Sequence, residues 1–141
     1  MRISRRTALR SGVLAGLGGG LAGGLTACAT SSKNVPAGAT FMHGVASGEP
    51  ATSGFLIWTR VTLPDGQYGS VNVDYDVAAD ADFTTVLARG TVRTEASRDW
   101  TVKATVATLK PGQTYHYRFR VGDAVSPVGR SRTLPVGSID A

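Results

Sequence analysis

The chain of 141 residues has one cysteine, two histidines and no acidic residue before Glu49. A single cysteine excludes an intrachain disulfide, so any folded part must stand on its apolar core alone. The histidines, His43 and His116, lie far apart and neither neighbours Cys28, so no metal-ligand spacing is present. The apolar stretch at residues 12–25 is too short and too rich in glycine to span a bilayer, which takes about 20 apolar residues. Those glycines do not form a phosphate loop either, because no strand precedes them and no helix follows. Ser47, in VASGEP, has no base nearby in sequence. Asp74 and Asp76 share one face of an alternating segment and are expected to be solvated; Asp80 and Asp82 read as turn residues. No active site emerges from this inventory.

The segment 1–27 reads as an export signal. The basic run SRRTALR, residues 4–10, has the twin-arginine pattern at Arg5 and Arg6, and an apolar region follows it. Leu25, Thr26, Ala27 and Cys28 resemble a bacterial lipobox, with cleavage before Cys28 and acylation of its sulfur. The twin-arginine translocation machinery and a membrane reached through a lipid anchor are therefore expected partners, on the periplasmic or extracellular side. Residues 28–40 are small and polar and are expected to be a flexible tether. Four of the fifteen basic residues fall in the signal and none of the ten acidic ones does, so the rest of the chain is nearly neutral. No clustered Lys/Arg excess is evident along the sequence, which argues against nucleic-acid binding.

From residue 41 the pattern changes to short β-like runs between turn signals. Strands are expected at 41–47, 54–61, 71–77, 83–87, 90–94, 100–106, 115–121 and 128–134, with a turn after the first at Gly48-Glu49-Pro50 and another at Pro64-Asp65-Gly66. The residues Asp80-Ala81-Asp82 have room for one helical turn. Seven or eight strands without helical periodicity make the expected fold class all-β, a fibronectin type III or immunoglobulin-like sandwich. The sharpest element is LKPGQTY, residues 109–115. It matches a tyrosine corner, in which Tyr115 hydrogen-bonds to backbone upstream, Leu109 closes the core, and Pro111 and Gly112 make the turn. Trp58 and Trp100 are expected in the core.

Several segments together resemble the PhoD-like alkaline phosphatases: FMHGVASGEP (41–50), GFLIWTRV (54–61), VDYDVAADADF (73–83), TVKATVATLKPGQTYHYRF (101–119) and SPVGRSRTLP (126–135). The family pattern has Asp where Glu49 stands here. The resemblance implies that residues 41–135 form the family's N-terminal sandwich and that residues 136–141 open a linker to a metallophosphatase domain. It further implies that the iron and calcium ligands lie in that catalytic domain, so no catalytic or metal residue is assigned here. The chain is then expected to be an inactive N-terminal piece of an exported phosphatase. The segments 41–47 and 128–135 are the expected surface toward the catalytic domain. The other reading is a free-standing, lipid-anchored fibronectin-like binding module that uses Arg118 and Arg120.

Overall fold

In a computed structural model, which describes residues 36–64 and 69–137, alternating apolar residues have assembled into two antiparallel sheets. The strands are β1 (Val45–Ala51), β2 (Gly54–Arg60), β3 (Val71–Ala78), β4 (Val86–Thr94), β5 (Thr101–Val106), β6 (Thr114–Val121), β7 (Ala124–Val125) and β8 (Gly129–Arg132). One sheet has the order β1-β2-β5. The other runs β4-β3-β6, and β6 is flanked on its far side by β7 and β8. Strands 1, 2 and 5 facing strands 4, 3, 6 and 8 is the fibronectin type III arrangement, so the fold is a β-sandwich of that kind.

Period two decides which residues meet between the sheets. Phe55, Ile57, Val102, Ala104 and Val106 come from the smaller sheet. Val71, Val73, Val77, Tyr115, Tyr117, Phe119 and Val121 come from the larger one, and all are buried. The rings of Tyr117 and Phe119 meet edge to face with centroids 6.2 Å apart, a preferred aromatic geometry. Burial pushes the Tyr117 hydroxyl above its usual pKa range, and a hydrogen bond from Ser47 opposes the shift. Gly129 lies directly beneath the Tyr117 ring: a Cβ there would stand 2.2 Å from a ring carbon, so no larger residue fits.

Four sequence expectations are corrected. The first strand begins at Val45, not at residue 41, because residues 41–44 form a turn closed by the Gly44 N–H on the Phe41 carbonyl (3.1 Å). That strand continues through Gly48-Glu49-Pro50, expected as its end. Glu49 takes a positive φ and the register slips between Gly48 and Ala51, a bulge rather than a chain reversal. The two short strands expected at 83–87 and 90–94 are one, β4, since Gly90 is tolerated under the Tyr75 ring instead of breaking the pairing. The residues 80–82 hold no helical turn; the short 3-10 turn is at Ala96–Arg98. Asp65 and Gly66 of the expected second turn lie outside the described residues.

The packed structure also starts earlier than residue 41. Ala39 is buried, and Thr40 pairs with Thr62 through two backbone hydrogen bonds of 2.8 and 2.9 Å. The last residues of the segment expected as tether, from Pro36, are thus fastened to the sandwich, because Ala39 and Phe41 bury apolar surface in its core.

Candidate functional site

The corner at residues 109–115 is built as its sequence suggests. The Tyr115 hydroxyl accepts from the Lys110 N–H (2.9 Å) and donates to the Lys110 carbonyl (3.1 Å), with its ring buried in the core. Leu109 is buried beside it. Pro111 is exposed at the turn. Gly112 supplies the positive φ that lets its N–H reach the Leu134 carbonyl (3.0 Å). A residue not singled out from the sequence completes the device. Buried Thr133 donates its hydroxyl to the same Lys110 carbonyl (2.7 Å) and accepts from the Gln113 N–H (3.1 Å). The corner is a structural clamp.

Trp58 does not occupy the core. On β2 the buried positions are Phe55, Ile57 and Thr59, so alternation turns Leu56, Trp58 and Arg60 to the outside of the smaller sheet, where Trp58 is half-buried between Ala46 and Lys103. Trp100 is half-buried and packs on the core cluster. Cys28, Arg5 and Arg6 lie outside the described residues.

His43 stands on the surface beside Arg60, with Nη1 donating to its Nε2 at 2.6 Å. The same guanidinium grips Asp99 by two N–H groups, Nε to Oδ2 at 3.1 Å and Nη2 to Oδ1 at 2.8 Å. This hydrogen bonding holds the Asp99 carboxyl below its usual pKa range. Asp99 and Trp100 both have positive φ, so Arg60 fastens a backbone turn that side chains rarely adopt. The arrangement positions a loop; no hydroxyl or thiol nucleophile is hydrogen-bonded to His43 among the described residues.

The carboxylates of β3 differ from expectation. Asp74 is partly exposed and accepts from the Thr91 hydroxyl (2.5 Å), but Asp76 is 1% exposed. It is enclosed by arginines: Arg118 Nε at 3.1 Å, Arg120 Nε at 3.3 Å and Arg89 Nε at 3.4 Å. The cross-strand register causes this, since Asp76 sits directly between Arg89 on β4 and Arg118 on β6. Arg118 is held further by the Phe83 ring, whose centroid is 4.0 Å from its Cζ. Asp76 is therefore not a solvated residue, and Arg118 and Arg120 are not simple exposed charges. His116 is half-buried on the same face.

Two of the open clefts lie among the described residues. One of about 390 Å³ lies between the corner and Leu87, the other of about 590 Å³ between residues 36–39 and 121–124. Each contains a single charged side chain, Lys110 or Asp123. Among the described residues no group of three or more His, Cys, Asp or Glu could hold a metal ion, and no described helix is long and apolar enough to cross a membrane.

The described residues thus form a fibronectin-like sandwich with a clamped corner. The model of the PhoD-like phosphatase N-terminal domain matches residues 27–135, and the chain belongs to that family. It is 37% identical over 101 residues to alkaline phosphatase D of Bacillus subtilis (strain 168), a match that takes in 67% of this chain and 17% of that protein. A solved structure of PhoD superposes with a TM-score of 0.67 at 32% identity, covering 72% of this chain and 20% of that one. The sensor domain of an anti-sigma factor from Pseudobacteroides cellulosolvens shares the fold, with a TM-score of 0.53 at 20% identity, over 65% of this chain and 94% of its own. The chain thus spans about a fifth of the length of its phosphatase relatives.

Proposed function

We propose that this chain is the non-catalytic N-terminal domain of an exported PhoD-like phosphatase and that it packs beside a metallophosphatase domain. The observation that carries the reading is the family match over residues 27–135 to a domain that is a small part of a much longer enzyme. In this reading Arg5 and Arg6 direct export, Cys28 takes the lipid, and the iron and calcium chemistry belongs to the partner domain. The sandwich contributes a rigid wall, and its own residues perform no hydrolysis.

The wall facing that domain is the edge where the segment after β8 runs along β1. The Leu134 N–H binds the Ala51 carbonyl (2.9 Å), which fixes the segment, yet the Leu134 side chain points outward and Val136 is 77% exposed. Val128 at the head of β8 and Met42 before β1 are exposed as well, so apolar side chains mark both expected segments. Exposed apolar clusters on small domains commonly mark interfaces.

The test is made on alkaline phosphatase D of Bacillus subtilis. Removing its matching domain should lower both its melting temperature and its activity on a chromogenic phosphate ester, and substituting the residues equivalent to Leu134 and Val136 with Ser should do so in part. Full stability and activity after removal would refute the packing role.

A further inference from the structure

The larger sheet brings together charges that the sequence scatters. Its outer face carries Arg89 and Arg93 from β4, Asp74 and Asp76 from β3, Arg118 and Arg120 from β6, and Arg130 and Arg132 from β8. The register sets them side by side: Arg89 against Asp76, Asp76 against Arg118, Asp74 against Arg120, His116 against Arg130 and Thr114 against Arg132. Six of the eight arginines among the described residues therefore share one face, against two carboxylates, while both described lysines lie elsewhere. This concentration on a nearly neutral domain is what a flat anion-binding surface requires.

We propose that this face docks a flexible polyanion bearing phosphate groups. Alternation puts the two arginines of β6, and the two of β8, about 7 Å apart along their strands, and Arg89 and Arg118 flank Asp76 from either side, about 10 Å apart. Such a grid suits a ligand with several anionic groups, since one exposed ion pair contributes little alone. The cations are all guanidiniums, whose planar fork matches phosphate oxygens two at a time. Asp76 is the positioning residue. It neutralises one charge but holds Arg118 and Arg120 by hydrogen bonds and draws in the more exposed Arg89 at 3.4 Å, and Phe83 holds Arg118 from the other side. Arginines ordered before binding lose less freedom when the ligand arrives. Arg93, Arg130 and Arg132 are exposed and make no ion pair among the described residues, so their donors are available. A nucleic acid fits less well, because the Phe83 ring is covered by Arg118 and the His116 ring is half-buried, so neither offers an open stacking platform. Membership of a phosphatase family favours phosphate over carboxylate, and the packing role proposed above can fail without affecting a face defined by register and charge.

The experiment measures binding of the full chain to long-chain inorganic polyphosphate as a function of salt. Binding should weaken linearly in log–log form, and the triple variant Arg93→Gln, Arg130→Gln, Arg132→Gln should bind about 30-fold more weakly, with the slope reduced by about 2. The variant's urea midpoint should match that of the parent, since none of the three side chains holds the fold. The variant Arg2→Gln, Arg5→Gln, Arg6→Gln, Arg10→Gln should retain most of the affinity. The proposal is overturned if the N-terminal variant, and not the face variant, abolishes binding. It is also overturned if poly-glutamate of equal charge binds as well as polyphosphate, if a thymidine oligonucleotide of equal phosphate number binds more tightly, or if only vesicles containing phosphatidylglycerol bind.

Discussion

The two sheets of this sandwich bury similar residues on their inner faces and present opposite chemistries outside. The outer face of the smaller sheet has Ala46 and Gly48 on β1, Leu56 and Trp58 on β2, and Thr105 on β5, with charge confined to the Lys103–Glu49 and Arg60–Asp99 pairs. The outer face of the larger sheet has six arginines, and one of its two aspartates is sealed beneath three of them. Both faces obey the same alternation of inward and outward side chains. Alternation separates inside from outside; the order in which strands pair determines what an outside face consists of.

The largest effect should come from the layer the two faces share. Phe119→Ala removes a fully buried ring in contact with Tyr117 and Tyr75, and should destabilise the chain by about 4 kcal/mol in urea unfolding. Asp76→Asn should follow, at about 2 kcal/mol, because three guanidiniums would be left crowded around a neutral amide. The cost stays below that of breaking a wholly buried pair, since the arginines remain partly in water. If Asp76→Asn unfolds no more easily than a substitution of Asp74, the larger sheet's outer face is an ordinary solvated surface and the contrast between the faces disappears.

Much of the fold could be read because it depends on local signals. The alternation at 71–77 and 115–121 and the corner at 109–115 each specify their own geometry within a short span. The arginine face could not be read this way. Its signal is arginine recurring at even spacing on three separate strands, at 89 and 93, 118 and 120, and 130 and 132. Those pairs add up only when β8 and β3 flank β6 and β4 flanks β3, which is long-range information. Trp58 failed for the opposite reason. On the near-continuous apolar run of β2, residue size suggested the core, whereas burial of Phe55, Ile57 and Thr59 fixes the phase and sends Trp58 outward.

Smaller effects sharpen the comparison. Tyr115→Phe keeps the ring and removes the hydroxyl that serves both the N–H and the carbonyl of Lys110. It should destabilise the fold by about 1 kcal/mol in urea unfolding, the usual scale for a hydrogen-bonding group lost from a partly buried site. Thr133 still donates to that carbonyl, so the loss stays below that for a fully orphaned pair. Trp58→Gln should change stability by less than about 1 kcal/mol, as expected for a half-exposed side chain outside the core. It should also remove the tryptophan emission component that acrylamide quenches more readily, leaving that of Trp100, which packs on the core. A loss above about 3 kcal/mol at Trp58, the scale of a buried aromatic, would mean that the smaller sheet's outer face is covered rather than open.

The smallest effect concerns acid, and it compares two turns. Asp80, in the turn that joins β3 to β4, accepts the backbone N–H groups of Thr84 and Thr85 at 2.9 Å each, and these bonds hold its carboxyl below the usual range. Asp99, at the entrance to β5, is held low by Arg60. A carboxyl whose pKa is lower folded than unfolded binds fewer protons in the native state. Its contribution is therefore complete above the unfolded value, about 3.9, and fades as pH falls through the lower folded value. Urea unfolding followed from about pH 6 to about pH 2 should lose stability less steeply in both Asp80→Ala and Asp99→Ala than in the parent. Thermal-melt traces at raised salt separate the two. Salt should weaken the Asp99 contribution, which depends on an exposed ion pair, and leave the Asp80 contribution largely intact, because its partners are uncharged backbone donors. Equal salt sensitivity at the two positions would mean that charge, not local hydrogen bonding, fixes the turn beside the arginine face.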